Sequence, residues 1–117
     1  MVKDIRVPSG GFNDKSIYVC GMDLARTGKD ETAIVVLEQL PYDDNIFICY
    51  METLHTPDLN MAINRMVFLN QIFNFKRIIC DETGLGAGVT NVLKQKLGVK
   101  VEGIWYTNNS FKIKYLI

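Results

Sequence analysis

The sequence lacks most of the features that mark specialised classes of chain. Cys20, Cys49 and Cys80 are an odd number, widely spaced, and none forms a Cys-x-x-Cys pair. Zinc would want closer spacing and more partners, so each is expected to be a core thiol inside an apolar strand. His55 is the only histidine. It falls in a predicted loop and is assigned no role. Neither sign of charge dominates, with Lys+Arg at 13 and Asp+Glu at 13. No global field therefore favours nucleic acid or a membrane surface, although local basic patches stay open. No apolar run approaches the roughly 20 residues that span a bilayer. Met1-Val-Lys-Asp-Ile-Arg is charged and has no apolar core of a signal peptide. The expectation is a soluble, cytosolic protein. A Gly-x-x-x-x-Gly-Lys-Ser/Thr motif is also missing, so no P-loop ATPase is encoded here.

What is present is a chain of 117 residues with 48% apolar content. That excludes a disordered chain and leaves room for at most one small domain. Residues 1–16 include Pro8-Ser-Gly-Gly and Asn13-Asp-Lys-Ser, which is linker composition without an apolar period. The expected division is a linker-like segment at 1–16 and a domain over 17–117.

The domain is organised around Tyr18–Leu37. Tyr18-Val-Cys-Gly-Met reads as an apolar strand that delivers Asp23 at its C-terminal end. The polar link Arg26-Thr-Gly-Lys-Asp-Glu and the β-branched run Thr32–Leu37 complete a hairpin. Pro41-Tyr-Asp-Asp-Asn makes the next turn and Ile46–Leu54 a third strand. Turns this short favour an antiparallel meander. Thr56-Pro57-Asp58 predicts a helix start, with a hydroxyl cap, proline at the first helical position and an acid in the first turn. Leu59, Ala62, Ile63, Met66, Leu69 and Phe73 then form one apolar stripe at helical spacing. Lys76–Cys80 is the fourth strand. Reached through a helix, it should lie parallel beside strand one, because right-handed crossovers rule and strand two holds the other side. Val89–Leu97 is a second helix, closed by Lys94, Lys96 and Gly98. Val99–Trp105 is a fifth, buried strand, and Asn108-Asn-Ser110 is placed to cap a third helix from Phe111. The predicted architecture is a mixed sheet in the order 3-2-1-4-5 with only strand two antiparallel.

That order sets Asp23 and Asp81 side by side. Two carboxylates at adjacent strand ends repel, and a divalent cation removes the cost. Mg²⁺ takes one or two protein carboxylates and fills its other positions with water and phosphate oxygens. The alternatives are a strand-end acid bonding turn amides at Asp23, and an N-terminal helix cap at Asp81-Glu82. Gly84-Leu-Gly-Ala-Gly88 has the form GxGxG, not the dinucleotide form GxGxxG. Asp81-Glu82 occupies the place a bound phosphate would take. Glycines that let the helix pack close to the sheet are the plainer reading.

Gly21-Met-Asp23-Leu-Ala-Arg-Thr-Gly-Lys-Asp-Glu-Thr32, together with Asp81-Glu-Thr-Gly-Leu-Gly-Ala-Gly-Val-Thr-Asn91, resembles the C-terminal nuclease domain of phage terminase large subunits. The resemblance runs from about Tyr18 to the end of the chain. It implies a ribonuclease H-like fold and cleavage of concatemeric double-stranded DNA in genome packaging, with two Mg²⁺ or Mn²⁺ ions. By position it makes Asp23 and Asp81 metal ligands and catalytic residues, and Glu82 a neighbour of lower rank. It also implies the terminase small subunit and the portal as partners, and a bacterial host cytoplasm. Arg26 and Lys29 in the hairpin link, and Lys112 and Lys114 near the end, are candidate DNA-backbone contacts, with solvated surface charge as the alternative.

The resemblance further implies a packaging ATPase domain and a third acid beyond the fifth strand. Glu102, the only acid after Glu82, lies inside that strand. The expectation is therefore a terminase fragment, truncated at Tyr115-Leu-Ile117, weak or inactive alone and with one sheet face partly uncovered. Two other classes stay open: a catalytically inactive prophage-derived fragment, and an actin-like or sugar-kinase-like nucleotide-binding domain of the same topology. Leu24-Ala25 after Asp23 disfavours the last, which places glycine there.

Overall fold

The structure, a computed structural model, describes residues 15–24, 31–81 and 86–104. Five strands and two helices follow one another as β1 (Ile17–Asp23), β2 (Glu31–Gln39), β3 (Ile46–His55), α1 (Leu59–Phe73), β4 (Arg77–Asp81), α2 (Gly86–Leu97) and β5 (Val101–Ile104). The sheet order is β3-β2-β1-β4-β5. β2 is antiparallel to both neighbours, while β4 is parallel to β1 and to β5. Order and directions are those expected from the short turns and the right-handed crossover. No helix among the described residues is long and apolar enough to cross a membrane.

Period-two alternation decides which residues meet the helices. Tyr18, Cys20 and Met22 of β1 alternate with half-buried neighbours. Their register partners Glu38, Val36 and Ile34 lie on the same side of β2. Against this face pack Ala62, Ile63, Met66, Leu69 and Phe73 of α1, with Val89 and Leu93 of α2. The predicted α1 stripe is thus buried, with Leu59 at its margin. Phe73 stacks on Phe75 at 5.5 Å between ring centroids and lies 5.2 Å from Tyr18. Cys20 and Cys80 are buried in this core, whereas Cys49 is half-buried.

Two polar groups are built into the same layer. Tyr18 donates its hydroxyl to Glu38 at 3.1 Å. Arg65 of α1 donates Nε to both carboxylate oxygens of Glu52 at 2.8 Å, and the Tyr50 hydroxyl donates to the same carboxylate at 2.9 Å. Burial pulls the Arg65 guanidinium down, but its bonds to Glu52 and Tyr50 outweigh that and hold it above the usual value. A charged network spanning β3 and α1 is therefore part of the core.

The opposite face carries no described helix. Val19, Val35 and Leu37 on it are half-buried. Towards the β3 edge Ile46, Ile48 and Met51 are 62%, 62% and 54% exposed. On the β4–β5 side Ile79 and Ile104 are buried.

Four local expectations change. Asp58, not Thr56, caps α1, its carboxylate accepting from the Asn60 N–H at 2.9 Å. Thr56 instead accepts from the Asp58 N–H at 3.1 Å, so Pro57 precedes the helix and no acid lies in the first turn. Asp58 wins because it stands directly before the helix and its carboxylate reaches an orphan donor there. α2 begins at Gly86, three residues before the predicted start. Gly88 is exposed, and a Cβ there would meet nothing within 4 Å, so close packing on the sheet is not the reason for that glycine. β5 starts at Val101, and Val99 is fully exposed in the preceding turn. As expected, Gly98 closes α2 with a positive φ of 87°, its N–H bonding Lys94 O at 2.9 Å. The third helix expected from Phe111 lies outside the described residues.

Candidate metal centre

Asp23 ends β1 and Asp81 ends β4. The last register pair between these parallel strands is Met22 with Cys80. Asp23 and Asp81 are the next residues along each strand, with a spacing of about 4.8 Å between neighbouring strands. Met22 and Cys80 both point into the helix face. Alternation turns both acids to the opposite face, beside Gly21 and Ile79, and both are half-buried there. The two acids therefore stand next to each other at one end of the sheet.

Space exists next to them. Gly21 lies two residues before Asp23 on the same face, and a Cβ built there would meet nothing within 4 Å. On its other edge Asp81 pairs with Ile104 of β5, which supplies an apolar wall. Two half-buried oxygen donors side by side, next to open space, suit a hard divalent cation that keeps water in its shell. The donor set fits Mg²⁺ or Mn²⁺ and does not suit zinc, which favours nitrogen and sulfur.

The neighbouring thiols are not ligands of such a site. Cys20 and Cys80 lie on the helix face. Burial, followed by the nearby Cys80, pushes the Cys20 thiol well above its usual value, so it stays a neutral core group. Glu102 is no third ligand either. It pairs in register with Ile79, below the acid level, and its carboxylate is bound to Arg77. Among the described residues no group of three or more His, Cys, Asp or Glu side chains comes together. Arg26, Lys29, Glu82, Gly84, Lys112 and Lys114 fall outside the described residues.

Sheet order and strand directions define a five-stranded mixed α/β fold of the ribonuclease H-like type. Several solved nuclease structures share it. The large terminase nuclease from thermophilic phage G20c superposes with a TM-score of 0.66 at 17% identity, covering 88% of this chain and 52% of that one. The large terminase nuclease domain of bacteriophage SPP1 with bound Mn gives a TM-score of 0.63 at 17% identity, covering 98% of this chain and 62% of its own. T. thermophilus RuvC in complex with a Holliday junction substrate gives 0.56 at 14% identity, covering 77% and 65%. The chain therefore spans between about half and two thirds of the length of these structures. No family model and no curated protein matches the sequence.

Sequence reasoning singled out both acids because each ends an apolar run. It missed the buried Glu38 and Glu52, although both sit in phase with the apolar alternation of β2 and β3. That phase was the available signal.

Proposed function

We propose that this chain carries part of the active centre of a metal-dependent DNA endonuclease, with Asp23 and Asp81 holding the first divalent ion. The observation that supports this most is their adjacency on one face, at the C-terminal ends of neighbouring parallel strands of a ribonuclease H-like sheet. Divalent ions held by Asp23 and Asp81 would supply the charge that activates a water and stabilises the leaving oxygen of a phosphodiester. The chain's own part is to fix two carboxylates on a rigid sheet, so that little reorganisation is needed when a phosphate arrives. Ile104 and Ile79 beside them limit water on one side.

The finer reading is a phage large terminase that cuts concatemeric double-stranded DNA and works with a small subunit and a portal. The two motifs around Asp23 and Asp81, and the terminase nuclease domains among the structural neighbours, support it. Domain limits of 1–16 for a linker and 17–117 for part of the nuclease belong to the same proposal.

The test is a Mn²⁺ titration of the full chain, followed by calorimetry, with plasmid nicking as a second readout. Asp23→Asn and Asp81→Asn should each abolish the binding signal while leaving the unfolding midpoint near that of the parent. Unchanged Mn²⁺ binding in both variants would overturn the assignment.

A further inference from the structure

The geometry points to a second nucleic-acid contact at the opposite end of the sheet: a lysine-rich seat for the phosphodiester backbone, formed by Lys76, Arg77, Lys94, Lys96 and Lys100. The choice of nucleic acid as the partner rests on the nuclease reading above. The seat itself rests on a separate observation, the grouping of cations among the described residues at one end of the sheet.

Apart from Arg65, which is bonded to Glu52, the described lysines and arginines all collect where β1, β4 and β5 begin and α2 stops: Lys15, Lys76, Arg77, Lys94, Lys96 and Lys100. Backbone hydrogen bonds tie this corner together. Lys76 N–H bonds Tyr18 O at 2.8 Å, and Ile78 N–H bonds Lys100 O at 2.9 Å. Gly98 N–H bonds Lys94 O at 2.9 Å, and Val101 N–H bonds Gly98 O at 3.3 Å. The cations of β4, of the turn before β5 and of the end of α2 are thereby held within one rigid corner.

Their charge is poorly compensated. Arg77 pairs with Glu102, but Lys76, Lys94, Lys96 and Lys100 have no ion-pair partner among the described residues. Asp43 and Asp44, the other acids near this end, are on the β2–β3 turn, across β1 and β2 from the seat. Attraction to the helix C-terminus accounts for Lys94 and Lys96. It does not account for Lys76, Arg77 or Lys100, which belong to β4 and to the approaches of β4 and β5. Asp23, Glu31, Asp58 and Asp81 mark the acidic end.

The two ends need each other if DNA is the substrate. Carboxylates repel the phosphate they are to act on, so backbone affinity has to come from elsewhere on the surface. β4 is five residues long, which puts Lys76 and Arg77 about 15 Å from Asp81 along the strand at roughly 3.3 Å per residue, while Lys94 and Lys96 belong to α2 on the helix side of the same end. A duplex carries one negative charge per about 1.7 Å of its axis, so about 15 Å of duplex presents several phosphates along that span. Lysine, a mobile point charge, suits binding to the backbone without base readout.

The experiment measures binding of the full chain to a short fluorescent duplex in EDTA over a salt series. Parent protein is compared with a Lys94→Gln/Lys96→Gln/Lys100→Gln variant and with Asp23→Asn. The triple variant should flatten the slope of log K against log salt by about 2.7, at about 0.9 for each phosphate that is no longer neutralised. Its unfolding midpoint should fall by no more than several degrees, from the lost attraction of Lys94 and Lys96 to the helix end, and Asp23→Asn should bind the duplex no more weakly than the parent. An unchanged slope in the triple variant, or no duplex binding by the parent, overturns the seat. Tighter binding of polyglutamate than of duplex by the parent also overturns it, in favour of an acidic protein. Duplex binding with the expected slope but no Mn²⁺ binding would sink the metal centre and leave the seat standing.

Discussion

Replacing Arg65 with methionine removes a guanidinium, which lies 4.9 Å from the Phe68 ring centre, and keeps most of the stem. In the parent the Glu52 side chain is 0% exposed and that of Arg65 26%. Both Glu52 oxygens accept from Arg65 Nε, and Arg65 Nη2 also donates to the Tyr50 hydroxyl at 3.3 Å. After the change, the carboxylate keeps the Tyr50 hydroxyl as its partner within that network. Breaking a buried pair by removing one member costs about 3–5 kcal/mol, because the other charge is left uncompensated. Small domains have about 5–15 kcal/mol in all, so the loss is a large fraction of the total. At about 4 °C per kcal/mol or more for a domain of this size, the melting midpoint should fall by at least about 12 °C. Urea unfolding followed by circular dichroism measures the free energy directly. Adding Glu52→Gln should recover a good part of the loss, since an amide is cheaper to bury than an unpaired carboxylate. A loss below about 1 kcal/mol, the range of solvent-screened pairs, would refute the reasoning. So would a double variant no more stable than Arg65→Met alone.

Other consequences can be checked with the same unfolding assay or with simple solution measurements. Burial and the neighbouring Cys80 raise the Cys20 thiol well above its usual value, and burial with Glu38 pushes Cys49 up to about 11. The folded state keeps protons that the unfolded state releases, so stability should be full below about pH 8.5 and fall as pH rises through the folded values. The slope from buried Cys20 should approach about 1.4 kcal/mol per pH unit, and a denaturation series that stays flat well above that pH would contradict it. Asn74 ends α1 with φ of 50°, so Asn74→Ala should cost about 1–2 kcal/mol while Asn74→Gly stays near neutral. Equal costs for the two would show that the backbone angle is not the cause. The exposed apolar edge of the sheet should drive self-association, and Ile48→Lys with Met51→Lys should reduce it in sedimentation velocity. A parent that stays monomeric at high concentration would remove that expectation.

Much of the fold was written in short-range pattern. Apolar and β-branched runs marked β1 to β4, the stripe from Leu59 to Phe73 marked α1, and short turns with one helical crossover left a single sheet order. Those signals are local, so the sequence carries them without reference to the rest of the molecule. The acids at strand ends were legible for the same reason: a carboxylate closing an apolar run is visible in one dimension. Cap choice was not, because Thr56 and Asp58 both suit a helix start and only backbone geometry tells which one reaches the open N–H. The partners of Glu38 and Glu52 were not either, since Tyr18 and Arg65 are 20 and 13 residues away along the chain and meet them only through the packed layer. Sequence alone thus determined the order and kind of the strands and helices, to within a few residues at their ends, and that Asp23 and Asp81 end theirs. The tertiary structure decided that both acids turn to the face away from the helices, and that the described cations other than Arg65 gather at the far end. Both outcomes depend on register between strands distant in sequence, and register is set by burying one face of the sheet, not by any local preference.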